Sequence, residues 1–140
     1  MSRSLLALAS TLLLCAAPLA QDAAAPEFAL ELNALQPADA GCRLTFLATN
    51  KLGGSLDRAA VEVALFSTSG AIDRIVTLDF KNLSEGKTKV LQFELAGLDC
   101  EDVGRVLVND IGACEGEGLA PESCLAGLVP TARPDITFGV

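Results

Sequence analysis

The sequence predicts an all-β protein: an antiparallel β-sandwich of about seven strands, preceded by a signal-peptide helix. Three observations carry this. Apolar and polar residues alternate with period two in one short segment after another. Glycine- and proline-bearing clusters separate the segments. Helical periodicity is confined to the first twenty residues.

That opening segment, MSRSLLALASTLLLCAAPLAQD, has one positive charge at Arg3, an apolar run over residues 5–17 and a small-residue exit at Pro18-Leu19-Ala20. This is the layout of a secretory signal. The run is shorter than the roughly 20 apolar residues a membrane-crossing helix needs, so no stable membrane anchor is expected after cleavage. Cleavage is placed after Ala20, to within a few residues. Lipidation of Cys15 is disfavoured because Leu14 stands where that processing needs a small residue. The domain plan is therefore a signal peptide at 1–20, a flexible lead-in at 21–26 and a β-sandwich domain at 27–140.

The first strand is read from Phe28, Leu30 and Leu32, which alternate with Ala29, Glu31 and Asn33. A turn follows at Pro37-Ala38-Asp39-Ala40-Gly41. Cys42, Leu44, Phe46 and Ala48 are the inward residues of the second strand, and 50–55, with Gly53-Gly54, is a loop. Residues 56–60 fit either a helical turn or a strand lead-in. Val61, Val63 and Leu65, a turn over 67–70, and then Ile72, Arg74, Val76, Leu78 and Phe80 read as a hairpin. After the turn Ser84-Glu85-Gly86-Lys87, Leu91, Phe93 and Leu95 face inward opposite Val90, Gln92 and Glu94, and the strand ends near Gly97. A short apolar strand core at 106–108 and a last strand with Ile136 and Phe138 complete the count.

Charge and composition narrow the partners. The ten bases and eighteen acids give −8, and Arg3 is the one charged residue of the first twenty, so the remainder carries −9. Proteins that hold phosphates need a basic patch. Here the bases Arg43, Arg58, Arg74, Lys81, Arg105 and Arg133 are scattered among acids, and Lys87 with Lys89 is the nearest thing to a cluster. Nucleic acid is not an expected partner. A hydrophobic fraction of 51% argues for a folded domain.

Beyond the signal peptide stand Cys42, Cys100, Cys114 and Cys124, an even number in an exported chain, and two disulfides are expected. Four cysteines allow three pairings. Cys114 and Cys124 bracket the turn-rich EGEGLAPES, so a local bridge closes easily, which leaves Cys42 for Cys100. The pairing agrees with an immunoglobulin-like strand order, in which the second strand lies antiparallel beside the strand that ends before Cys100. A zinc site is disfavoured: there is no C-x-x-C pair and no histidine.

Residues 46–109 resemble the FxLYD family of small exported immunoglobulin-like domains. The resemblance rests on Thr49-Asn50 as a strand-closing asparagine, on VEVALFSTSG (61–70) as a strand with its glycine turn, and on Leu83-Ser84-Glu85-Gly86 as the next turn. The naming motif falls on Val63-Ala64-Leu65-Phe66-Ser67, where only Leu65 matches outright. The whole chain is also similar to small exported proteins of proteobacteria, a resemblance that implies no activity.

Catalytic chemistry has little to draw on. Without histidine, tyrosine or tryptophan the commonest general base is missing. Glu62, Asp73 and Asp79 are the carboxylates that neighbouring strands bring closest. For calcium, Asp99, Glu101 and Asp102 share a loop, with Asn109, Asp110, Glu115 and Glu117 nearby, but the D-x-[DN]-x-[DN]-G spacing is absent. Asn82-Leu83-Ser84 matches a glycosylation acceptor, which matters only in a eukaryotic secretory pathway. The expectation is a non-enzymatic periplasmic or secreted domain without a cofactor. It would bind or support another exported protein through an exposed sheet edge. The alternatives are a calcium- or small-ligand-binding module and, less favoured, a carboxylate-based enzyme.

Overall fold

The computed structural model describes residues 16–18 and 24–140. The predicted signal peptide, apart from 16–18, and residues 21–23 of the lead-in lie outside the described residues. Eight strands follow: β1 (Glu27–Ala38), β2 (Gly41–Lys51), β3 (Leu56–Ser67), β4 (Ile72–Leu83), β5 (Thr88–Ala96), β6 (Val103–Glu115), β7 (Leu128–Ala132) and β8 (Thr137–Gly139). A 3-10 helix (Cys100–Asp102) precedes β6, and one short helix, α1 (Ser123–Ala126), precedes β7. Two four-stranded sheets pack face to face, in the orders β5-β2-β1-β7 and β4-β3-β6-β8.

Alternation places the core where the sequence puts it. Phe28, Leu30, Leu32, Cys42, Leu44, Phe46 and Ala48 from one sheet meet Val61, Val63, Leu65, Leu78 and Phe80 from the other, all buried. Phe46 stands at the centre. Its ring makes edge-to-face contacts with Phe80 at 5.7 Å, Phe93 at 6.0 Å and Phe138 at 5.7 Å, so four strands converge on one side chain.

Several boundaries differ from the sequence reading. Pro37 and Ala38 remain in β1, leaving Asp39-Ala40 as the turn, and residues 56–60 are strand. β6 runs for 13 residues rather than three. Its register against β3 shifts between Ala60 and Val61, between Glu62 and Val63 and between Phe66 and Ser67, and each bulge breaks the period-two pattern that a sequence reading relies on. β7 was not expected at all. It pairs parallel to β1, and β8 pairs parallel to β6, beside four antiparallel pairings. A parallel neighbour needs a long connection. The loop after β6 supplies it, returning the chain to the start of β1, where Phe28 N donates to Gly127 O at 2.7 Å.

The disulfides join as expected, Cys42 with Cys100 and Cys114 with Cys124. They sit at opposite ends of the sandwich. At one end β2 begins, β5 ends and the 3-10 helix leads into β6. The chains crowd there: a Cβ on Gly41 would collide with Leu95 O and lie 2.9 Å from Gly97 N. At the other end Cys114 of β6 holds α1. That end is also organised by Asn50, which is fully buried. Its Nδ2 donates to Gly54 O and Leu83 O, both at 2.9 Å, and its Oδ1 accepts from Leu52 N at 3.0 Å. The asparagine thereby joins the β2–β3 loop to the end of β4 with both amide protons and its oxygen bonded.

Each bridge shortens the loops open to the unfolded chain, spanning 58 and 10 residues respectively. Replacing Cys42 and Cys100 together by serine is expected to lower the unfolding free energy by ~4 kcal/mol, and replacing Cys114 and Cys124 by ~3 kcal/mol. Urea denaturation checks both. An unchanged midpoint for either pair would contradict the role given to that bridge.

Candidate functional site

The two sheet orders leave four edges. β8 has three residues and β7 has five, one of them Pro130, which lacks an N–H. On the opposite side β4 has 12 residues and β5 has nine. β4 and β5 face one another across the seam between the sheets without pairing.

Backbone parity shows which groups the β4 edge presents. Ser67 N donates to Ala71 O in the β3–β4 turn, which directs the odd-numbered residues of β3 toward β4. Val61, Val63 and Leu65 thus bond to their register partners Leu78, Val76 and Arg74. Ile75 and Thr77 turn their N–H and C=O groups to the open side. Two apolar side chains of β4 are accessible here, Ile72 at 59% and Ile75 at 53% exposed, and Val90, on the outward phase of β5, is 61% exposed. Val76, Leu91 and Phe93 are half-buried at the margin of the core.

Two basic side chains bound the open stretch. Arg74 Nη1 donates to Ala96 O at 2.6 Å, bridging the start of β4 to the end of β5. Lys89 lies in the inward register of β5 with Leu91, Phe93 and Leu95. Its Nζ crosses the seam to Phe80 O at 3.3 Å and Asn82 O at 3.0 Å. The lysine reaches the rim because its apolar stem packs inward while its ammonium finds carbonyls. Asn82, Leu83, Ser84, Lys87 and Lys89 line a cavity of about 170 Å³ at this end of the edge. The two lysines singled out in the sequence share it. A second hollow, about 280 Å³, lies among Ala25, Pro26, Leu52, Ser123, Ala126 and Gly127 and holds no titratable group.

Lys81 ends the regular part of β4. Its φ of 61° is the left-handed conformation that lysine rarely adopts, and the register shifts beside it, between Ala59 and Ala60. Asp79 holds this bend: Oδ1 accepts from Lys81 N at 2.9 Å, and Oδ2 accepts from Lys81 Nζ and Arg58 Nε, both at 3.3 Å. The hydrogen bond from the Lys81 backbone, with the charges of Lys81 and Arg58 behind it, holds the Asp79 carboxyl below the usual carboxylate range.

The other residues named from the sequence are engaged separately. Glu62 accepts from Asn109 Nδ2 at 2.6 Å, Asp73 is held by Arg74 Nε, and Asp79 by Lys81 and Arg58, so the three carboxylates have three sets of partners. In the acidic loop Asp99 caps the 3-10 helix through Glu101 N, and Asp102 accepts from Thr68 Oγ1 at 3.0 Å. Asp110 accepts from Ile111 N. Among the described residues no group of three or more carboxylates or thiols is placed to hold a metal ion. Sequence reasoning missed the position of Lys89, yet its signal was present: a lysine stands in the inward phase of an apolar alternation.

A depressed carboxylate stabilises the fold in its ionised form. The Asp79 contribution is complete above the unfolded value, near pH 4, and is lost as pH falls through the lower folded value. An NMR titration of the Asp79 carboxyl carbon is expected to show a midpoint below that of an ordinary aspartate. The Asp79→Asn variant should lose stability at neutral pH and become less pH-sensitive over the acid range. An ordinary midpoint would contradict the hydrogen-bonded bend.

No protein-family model, curated protein or solved structure matches this chain.

Proposed function

We propose that this chain is a non-enzymatic exported domain that acts in the periplasm or outside the cell as a protein-interaction or accessory module, with the β4 edge as its contact surface. The observation that supports the reading is the unpartnered stretch of β4 around Ile75 and Thr77, flanked by accessible apolar side chains and by the half-buried margin of the core. An extended segment added there would satisfy the open backbone groups and cover Val76, Leu91 and Phe93. Exposed strands of this length are ordinarily blunted. Here the blunting devices, Arg74 and Lys89, stand at the two ends and leave the middle open.

Export belongs to the same reading. The two disulfides fit an oxidising extracytoplasmic compartment. Among the described residues no helix is long and apolar enough to cross a membrane. The proposed signal at 1–20 and the resemblance of residues 46–109 to FxLYD-like immunoglobulin domains belong to the same proposal.

A photo-activatable side chain placed at Ile75 is expected to yield a discrete adduct with another exported protein in the intact host. The same group at Val129, on the opposite edge, should yield none. Equal labelling from both positions, or none from Ile75, would remove the support for β4 as the contact surface.

A further inference from the structure

The β4 edge has an electrostatic direction. Lys87 and Lys89 meet at its Leu83 end, in the cavity they share with Asn82, Leu83 and Ser84. Neither makes an ion pair with a carboxylate among the described residues, although acids outnumber bases eighteen to ten in the chain. Lys89 Nζ has three protons, and two are directed at Phe80 O and Asn82 O. Asp79, an acid of β4, is already engaged by Arg58 and Lys81. The end of the open edge therefore holds two ammonium groups with donor capacity to spare.

We propose that the partner segment is the free C-terminus of a polypeptide, bound as an extended strand parallel to β4 with its α-carboxylate in the Lys87–Lys89 cavity. This rests on the reading of β4 as a contact edge and adds orientation and ligand chemistry to it. The two directions are unequal. A parallel strand ends at the Leu83 end and places a carboxylate against the two ammonium groups. An antiparallel strand whose end lay there would bring an α-ammonium to them, a like-charge contact. The distance fits a short segment: from Arg74, whose side chain closes one end, to Phe80, where Lys89 closes the other, the strand rises about 20 Å at roughly 3.3 Å per residue, the reach of about six residues. Side chains of alternate ligand residues would fall on the seam side, against Val76 and Phe93, which asks for apolar residues at every second position. Terminal-carboxylate capture combined with strand addition gives affinity through the backbone and selectivity through the end group.

The test uses the mature chain with its disulfides intact and fluorescein-labelled short peptides randomised over Val, Ile, Leu, Phe, Thr and Ser. One pool is made as the C-terminal acid and the other as the C-terminal amide. The acid pool is expected to bind about tenfold or more tightly than the amide. Lys89→Gln keeps donors for the two strand carbonyls but removes the charge, and Lys87→Gln touches no structural hydrogen bond. Each should erase most of the acid's advantage and leave the amide unchanged, with folding checked by circular dichroism. Equal binding of acid and amide would overturn the carboxylate site while leaving the edge reading intact. Binding of neither pool would overturn the peptide inference, and cross-linking from Ile75 then decides the edge reading by itself.

Discussion

The arrangement depends on two covalent ties, each of which fastens a strand of one sheet to the turn that feeds a strand of the other. Cys42 in β2 holds the 3-10 turn that feeds β6, and Cys114 in β6 holds the helical turn that feeds β7. The ties lie at opposite ends, so neither can be replaced by the other. A domain of this size buries a modest fraction of its surface, and covalent links at both ends remove conformations from the unfolded chain that a small core alone would have to offset. The buried, triply hydrogen-bonded Asn50 reinforces the Cys114 end, and the close approach of Gly41 to the β5 backbone reinforces the Cys42 end.

With its ends fixed, the sandwich differs between its two sides. The chain after β6 runs through the Cys114–Cys124 loop, lays β7 beside β1 and then crosses to lay β8 beside β6. β8 inserts Phe138 against Phe46. That side is closed by short strands and by Pro130. The other side carries the two longest edges, and only Arg74 and Lys89 bridge them by hydrogen bonds. Core side chains at that margin stay half-buried because, among the described residues, no further strand covers them. The functional reading follows from this asymmetry.

Much of the fold was legible because burial on one face of a strand imposes period two on its sequence. Phe28, Leu30, Leu32, Cys42, Leu44 and Phe46 announced β1 and β2 plainly, and the Cys42–Cys100 bridge, the pair left once Cys114 closes a local loop with Cys124, agreed with an immunoglobulin-like strand order. The pattern failed where its physical cause was weaker. β6 crosses three bulges, so its inward residues Val103, Val106, Val108 and Ala113 do not keep one phase. β7 is an edge strand of five residues with a proline, and its pairing depends on a return loop rather than on its own composition. An edge able to take up a partner was anticipated only as a general property of open sandwiches. Which backbone groups the β4 edge presents depends on the parity of hydrogen bonds from Ser67, and how far the edge stays open depends on where the long side chains of Arg74 and Lys89 come to rest, neither of which has a local sequence signature.

The most direct test of this account is amide hydrogen exchange along β4. With β3 on one side and solvent on the other, protection should alternate: the amides of Val76 and Leu78, bonded to Val63 and Val61, should exchange slowly, and those of Ile75 and Thr77 should exchange fast. Uniform protection across these residues would mean that the edge is already covered, and would contradict the open β4 edge on which the functional reading rests.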